Sequence, residues 1–188
     1  MYTINKKLKG QLTVFIFVYY SLHCKLYIGG SMSGVQSSML MEYRDIDLAW
    51  TAGFIDGEGC LHIMKQKYKL ARTGEIKYTH TVRLHIVQNN LEVLEHIRDT
   101  LGIHANIHKI KRSIETNRQC YTLNYNSSHA YKAIKLIEPY LVRKRPEARA
   151  ILDFWKLGKL EMRTGRKPLP TEIWDIREWW YRKLQRMK

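Results

Sequence analysis

Cysteine is scarce and nowhere paired: Cys24, Cys60 and Cys120 are the only three in 188 residues, with no C-x-x-C. This argues against a disulfide scaffold and against a cysteine-based zinc finger. The eight histidines supply neither H-E-x-x-H nor an H-x₃₋₅-H beside paired cysteines. Acid is short as well. Asp plus Glu number 17 against 32 Lys plus Arg, a net charge of +15 and a pI near 9.8. Such a surplus favours a polyanionic partner, nucleic acid or acidic membrane, over acidic small-molecule chemistry as the whole story. Long hydrophobic runs are also missing. The longest, Leu12 to Leu22, is well short of the ~20 residues that span a bilayer. What remains is ordinary. A hydrophobic share of 45% and a charged share of 26% fit a folded chain of one domain with a small appendage.

The first forty residues differ from the rest. Lys6, Lys7 and Lys9 precede the apolar run as in the first two regions of a secretory signal, but Lys25 follows soon and no A-x-A-type cleavage site does. Gly29 to Ser38 (G-G-S-M-S-G-V-Q-S-S) reads as a flexible linker. With Met32, Met39 and Met41 in or just after it, the functional domain is expected over 42–157. Residues 1–41 are then an N-terminal extension, disordered or outside that domain, with a membrane anchor as the alternative. Residues 158–188 are expected to form a linker and a last helix.

Within the domain, Asp45 or Asp47 suits the cap of a helix over Leu48 to Ile55. Cys60 to Lys69 and Lys77 to Val87 alternate as strands around the turn A-R-T-G-E at 71–75. Asn89 or Asn90 caps a helix bearing Leu91, Leu94, Ile97 and Leu101, which Gly102 ends. Ala105 to Ile110 and Cys120 to Tyr125 form a second strand pair around a basic loop. A helix capped by Ser127 or Ser128 stops at Glu138-Pro139, and Pro146 opens another through Leu157. Thr171 is expected to cap a last helix carrying Ile173, Trp174, Ile176, Trp180 and Leu184. The order predicts an α+β domain with one four-stranded antiparallel sheet.

Alternation then sorts the side chains into two faces. Leu61, Ile63, Val82, Leu84 and Ile86 point toward the helices, as do Ala105, Ile107, Tyr121, Leu123 and Tyr125. The other face carries His62, Met64, Gln66 and Tyr68, then Lys77, Thr79, Thr81, Arg83 and His85. The second pair adds Asn106, His108, Thr122 and Asn124, with Lys109, Lys111 and Arg112 at the end. A solvated face is the plain explanation. This one lacks acid among the first hairpin's outward residues and mixes donors with acceptors, the side-chain types that read base edges in the major groove. Lys65, Lys67, Lys69, Arg72 and Lys111 suit phosphates, which position without specifying. DNA reading outweighs bland solvation on charge and composition.

The chemistry centres on Thr51-Ala52-Gly53-Phe54-Ile55-Asp56-Gly57-Glu58-Gly59. Gly53 and Gly57, four apart, make a bare patch on a helix, against a cost of ~1 kcal/mol each relative to Ala, so two helices could approach backbone on backbone. Asp56 and Glu58 stand where that helix ends and its dipole disfavours negative charge. A carboxylate held there suggests a bound cation.

The stretch resembles the LAGLIDADG motif of homing endonucleases, with Thr51 in place of the first Leu and Glu58 for the penultimate Asp. The α-β-β-α-β-β-α order also fits, and the resemblance covers about Leu48 to Leu157. It implies a single-motif chain acting as a homodimer, with Thr51, Ala52, Gly53 and Gly57 in the interface and the two Glu58 side by side. Glu58, helped by the Gly57 carbonyl, would bind Mg²⁺, two or three divalent ions per dimer and no small-molecule cofactor. The family's structural acid falls on Asp56. Its solvent-orienting polar residue falls on Gln88, and its charge-stabilising lysine on Lys144. The basic residue often found four positions after the Gln is here Glu92.

The implied activity is cleavage of a long, pseudo-palindromic double-stranded DNA site, promoting mobility of the host intron. The alternative is an RNA maturase that binds the group I intron RNA and assists its splicing. A DNA-binding regulator that has lost cutting is disfavoured by Glu58. The compartment implied is an organelle, the chloroplast before the mitochondrion, with bacterial or phage-infected cytoplasm as the alternative and secretion excluded. For Trp174, Trp179 and Trp180 packing is expected over stacking on DNA, while Arg177, Arg182, Lys183, Arg186 and Lys188 on the same helix could extend the contact with the backbone.

Overall fold

The computed structural model describes residues 34–69, 74–111, 118–161 and 170–188. The leader before 34, Arg72 in the first turn and Arg112 in the basic loop lie outside the described residues. By compactness the chain divides into Met1–Glu42 and Tyr43–Lys188. The larger unit holds the whole sheet.

Helix α1 spans Gly34–Glu58 and runs straight into β1 (Gly59–Lys69), which turns back as β2 (Ile76–Gln88). Then come α2 (Leu91–Leu101), a short β3 (Ile107–Lys109), β4 (Tyr121–Asn126) and α3 (Ser127–Ile137). A 3₁₀ turn (Glu138–Tyr140), α4 (Arg145–Leu157) and α5 (Thr171–Arg186) complete the chain. All pairings are antiparallel, in the order β1-β2-β4-β3. The expected α+β fold with a four-stranded antiparallel sheet is borne out. No helix among the described residues is long and apolar enough to cross a membrane.

The helices cover one face of the sheet, and the core lies between. Leu61, Ile63, Val82, Leu84, Ile86, Leu123 and Tyr125 meet Leu94 and Ile97 of α2, Ile134 and Ile137 of α3, and Ile151 and Phe154 of α4 there. Each fully buried aliphatic side chain contributes about 1.5–3 kcal/mol.

Several local expectations are corrected. Helix α1 begins at Gly34, so the second half of the expected linker is helical and Asp45 and Asp47 lie inside the helix. Met39, Leu40, Met41 and Glu42 are good helix formers with no breaker among them. Asp45 accepts instead from the Tyr140 hydroxyl at 2.8 Å. The strand β3 covers three residues, leaving Ala105, Asn106 and Ile110 outside it. Neither serine caps α3, whose cap position is Asn126 with no side-chain bond. Pro170, not Thr171, precedes α5. Asn90 does cap α2, its side chain accepting from the Glu92 amide at 3.0 Å, and Gly102 ends that helix at φ +62°.

The last helix is no loose appendage. Trp180 and Leu184 join the core. Beyond Ile63 the helix-facing side of the hairpin is covered by α5: Glu178 takes Lys65 Nζ at 2.8 Å and meets His80 Nε2 at 3.2 Å. Trp174 sets its edge against His80 and Tyr78. Lys65, expected to hold phosphate, is therefore committed to Glu178. Trp174 and Trp180 pack, as expected, whereas Trp179 stays 56% exposed under the Lys183 ammonium.

Candidate metal centre and nucleic-acid interface

The end of α1 is held by a reciprocal clasp with the loop before α4. The Asp56 carboxylate accepts from the backbone amides of Val142 (2.7 Å), Arg143 (3.1 Å) and Lys144 (2.8 Å). Lys144 is the N-cap of α4 and its amide one of that helix's unpaired donors, while Val142 and Arg143 lie in the loop before it, so Asp56 caps the helix start and ties down the loop that leads to it. Burial raises its pKa, but these three bonds and the Lys144 charge outweigh it, and the carboxyl sits below its ordinary 3.8. In the other direction, Lys144 Nζ donates to the carbonyls of Ile55 (2.8 Å) and Asp56 (2.6 Å). Arg143 Nε adds a bond to the Asp56 carbonyl at 3.1 Å. These carbonyls are among the orphan acceptors of a helix C-terminus, where a cation is favoured. Burial, with help from Arg143, lowers the Lys144 pKa. Lys144, proposed from sequence as a charge-stabilising group, thus has its ammonium on the helix end.

Glu58 closes α1. It is exposed, and among the described residues it has no hydrogen-bond or ion-pair partner. The next residue cannot carry a side chain: a Cβ on Gly59 would lie 2.7 Å from Ile55 Cγ2 and 2.8 Å from the Ile55 carbonyl. Gly53 and Gly57 differ. A Cβ on either would meet nothing within 4 Å, so packing inside the chain does not ask for glycine there. They share a helix face with Ile46 and Trp50, at offsets of four, seven and eleven residues. Ile46 and Trp50 are 58% and 45% exposed. Thr51 and Ala52, grouped with the glycines from sequence, are both fully buried, because they lie on the opposite side of the same helix, toward the sheet. The periodicity that selects Ile46 and Trp50 was present in the sequence.

Gln88 pairs with Tyr121 and stands two residues past Ile86, the partner of Gly59, level with the end of α1. Its Oε1 accepts from the Asn89 amide at 2.8 Å. Among the described residues no three His, Cys, Asp or Glu converge on one point. With the Asp56 carboxylate engaged by backbone amides, the described residues offer one unengaged carboxylate at this end, Glu58, not a closed metal cage.

The register sets the outward face. His62 faces Arg83, Met64 faces Thr81, Gln66 faces Thr79 and Tyr68 faces Lys77. Further on, His85 faces Asn124, and Thr122 faces both Val87 and His108. Alternation places all of these on one side of the sheet, and no acid falls in these strand positions. Cys60, opposite His85, also belongs to this side, which alternation alone would have revealed. Lys109 shares the parity of Ile107 and faces the other way. Asn106 and Lys111 flank the strand rather than belonging to it, and Lys77 pairs with Glu75 at 3.5 Å. Arg83 lies along the face, donating to Asn124 Oδ1 at 3.0 Å and toward Met64 Sδ at 3.8 Å.

Comparison with known proteins agrees with this layout. The family described as LAGLIDADG endonuclease matches residues 51–166, more than half of the chain and starting at the first motif residue. A probable intron-encoded endonuclease of Schizosaccharomyces pombe, Cox1-I1b, is 33% identical over 97 residues, 50% of this chain and 23% of that protein. The match spans about a quarter of that relative's length. Among solved structures, the homing endonuclease I-CvuI, crystallised with DNA in 2 mM Mg and the DNA not cleaved, superposes with a TM-score of 0.51. It is 19% identical, with 76% of this chain and 97% of that chain covered. The meganuclease I-SmaMI bound to uncleaveable DNA gives 0.51 at 14% identity, covering 73% and 43%. At such identities the superpositions speak for the fold. The family match, the fold and the motif together lead to one conclusion: the chain belongs to the LAGLIDADG endonuclease family.

Proposed function

We propose that this chain is a site-specific homing endonuclease that works as a homodimer, making a Mg²⁺-dependent double-strand break in a long, pseudo-palindromic DNA site and so promoting intron mobility. The carrying observation is the position of Glu58, an exposed, unpartnered carboxylate at the end of a glycine-faced helix, where an acid-free reading face begins. The oxygen donors suit a hard cation, since Mg²⁺ accepts one or two carboxylates and completes its shell with water and phosphate oxygen. One chain does not close such a site; two chains meeting along α1 would supply Glu58 and Glu58 of the partner subunit. A two-fold interface is self-complementary, and the open stripe of Ile46, Trp50, Gly53 and Gly57 is a surface of that kind.

When bound, the ions would lower the pKa of a water and stabilise the leaving oxygen. The chain's own residues do the rest. Glu58 holds the hard-cation position, with the Gly57 carbonyl beside it. Asp56 and Lys144 fix the helix end that carries Glu58. Gln88 orients solvent near the scissile phosphate. The outward residues from His62 to Asn124 read the groove. We also propose an organelle as the compartment, on family likeness.

Cleavage of a cloned intron-insertion sequence, with and without Mg²⁺, tests this reading. Cutting by the wild type that Glu58→Gln abolishes while DNA binding persists would support it. Tight binding of intron RNA with no cutting of DNA would instead favour the maturase.

A further inference from the structure

Arg83, His62 and His85 gather at the end of the outward face nearest the motif. His62 with Arg83, and Cys60 with His85, are neighbouring rungs of the β1–β2 ladder, starting two residues after Glu58. A further cation arrives from outside the sheet. Lys188, just beyond α5, places its Nζ 3.8 Å from Cys60 Sγ, and His62 Nδ1 is 3.6 Å from the same sulfur. The route is set by topology. Strand β1 is at the sheet edge, and α5 lies beneath the hairpin, anchored by Trp180 and Leu184 in the core and by Glu178 on Lys65 and His80. The chain beyond the helix thus reaches the rim of β1.

Among the described residues no acid side chain pairs with this group. Among the described residues Arg83 donates only to the neutral Asn124 and Met64, and its Nε has no partner. The His62 imidazole feels the imbalance. Burial, then Lys188, Arg83 and His85, push its pKa down to about 4. The two cations, Arg83 and Lys188, repel without a counter-charge in the free protein, and an anion is the missing partner, to which the imidazoles can donate a hydrogen bond.

We propose that Lys188, carried to the outward face by α5, binds a DNA backbone phosphate together with His62, Arg83 and His85 beside the cleavage site. The C-terminal helix is then part of the DNA-binding machinery rather than a packing element alone. This rests on the endonuclease reading, and a sheet-only reading of that function would leave Lys188 idle.

The test is the salt dependence of binding to a random-sequence DNA duplex, by fluorescence anisotropy, for the full chain and for Lys188→Gln, Lys188→Glu and Lys135→Gln. Each phosphate contact contributes about 0.9 to the slope of log K against log salt. Lys188→Gln is expected to flatten the slope by about 1.8 for a dimer and to weaken binding uniformly across sequences. Lys188→Glu weakens it further, and Lys135→Gln, exposed on α3 and outside the cluster, leaves the slope unchanged. An unchanged slope in Lys188→Gln, with the wild type binding normally, overturns this inference and spares the endonuclease reading. A wild type that binds no duplex overturns both. Lys188→Gln protein that melts several degrees early would make Lys188 a prop for α5 and also overturn it.

Discussion

Replacing Asp56 with alanine removes one side of the clasp that joins the motif helix to α4. Three backbone amides, of Val142, Arg143 and Lys144, lose their acceptor. Loss of a helix cap costs about 0.5–2 kcal/mol, and hydrogen bonds to a charged acceptor contribute about 1.5–3 kcal/mol each. Val142 and Arg143 are exposed, so water replaces much of what the carboxylate gave them, and three full bonds would overcount. The Lys144 amide is the one with no easy substitute. The expected loss is therefore about 2–3 kcal/mol, or a melting temperature lower by about 5–10 °C for a unit of this size. The carboxyl pKa is below its ordinary 3.8, so the stabilisation is fully present above that value. It disappears as pH falls through the lower, folded-state value. Urea unfolding of wild type and Asp56→Ala across the acid range measures both effects. The two curves should be separated near neutral pH and converge in strong acid. A gap of under half a kcal/mol near neutrality, or one that persists in strong acid, would refute the clasp.

Other expectations concern single positions. Gly53→Ala should raise chain stability by up to ~1 kcal/mol through helix propensity, since a Cβ there meets nothing. The same change should weaken self-association in sedimentation, and a variant unchanged in assembly would argue against that face as the interface. Thr51 Oγ1 is buried with no hydrogen-bond partner among the described residues, so Thr51→Val should stabilise by about 1 kcal/mol in thermal melts; a loss would reveal a partner for the hydroxyl. Gly59→Ala pushes a methyl to 2.7 Å from Ile55 Cγ2 and should cost about 1–3 kcal/mol, read as a lower urea midpoint. His62 has its pKa depressed from 6.5 to about 4, so the unfolded chain takes up the proton first and stability falls as pH drops through that window. His62→Gln should flatten this part of the acid limb in pH-dependent urea titrations.

Much of the architecture was legible because alternation and capping are local signals. The outward and inward sets of β1, β2 and β4 follow from period two, and the Asn90 cap and Gly102 stop from their residue types. The start of α1 was not legible: Gly34, Ser37 and Ser38 carry turn composition, yet they are helical because nothing downstream of them breaks the helix. The partition of the motif was half visible. Its glycines point outward, but Thr51 and Ala52 turn inward, a distinction that helical phase makes and residue type does not. The roles of Asp56 and Lys144 depend on contacts 86 to 89 residues apart, which no window of sequence displays. The arrival of Lys188 beside Cys60 depends equally on how α5 docks. Only the folded sheet shows it.

The reading stands or falls on two chains meeting through the Gly53 and Gly57 face of α1. Sedimentation equilibrium of the wild-type chain on duplex DNA containing its intron-insertion sequence measures this directly. Two chains per duplex is the predicted result. One chain per duplex, still cutting both strands, would contradict it.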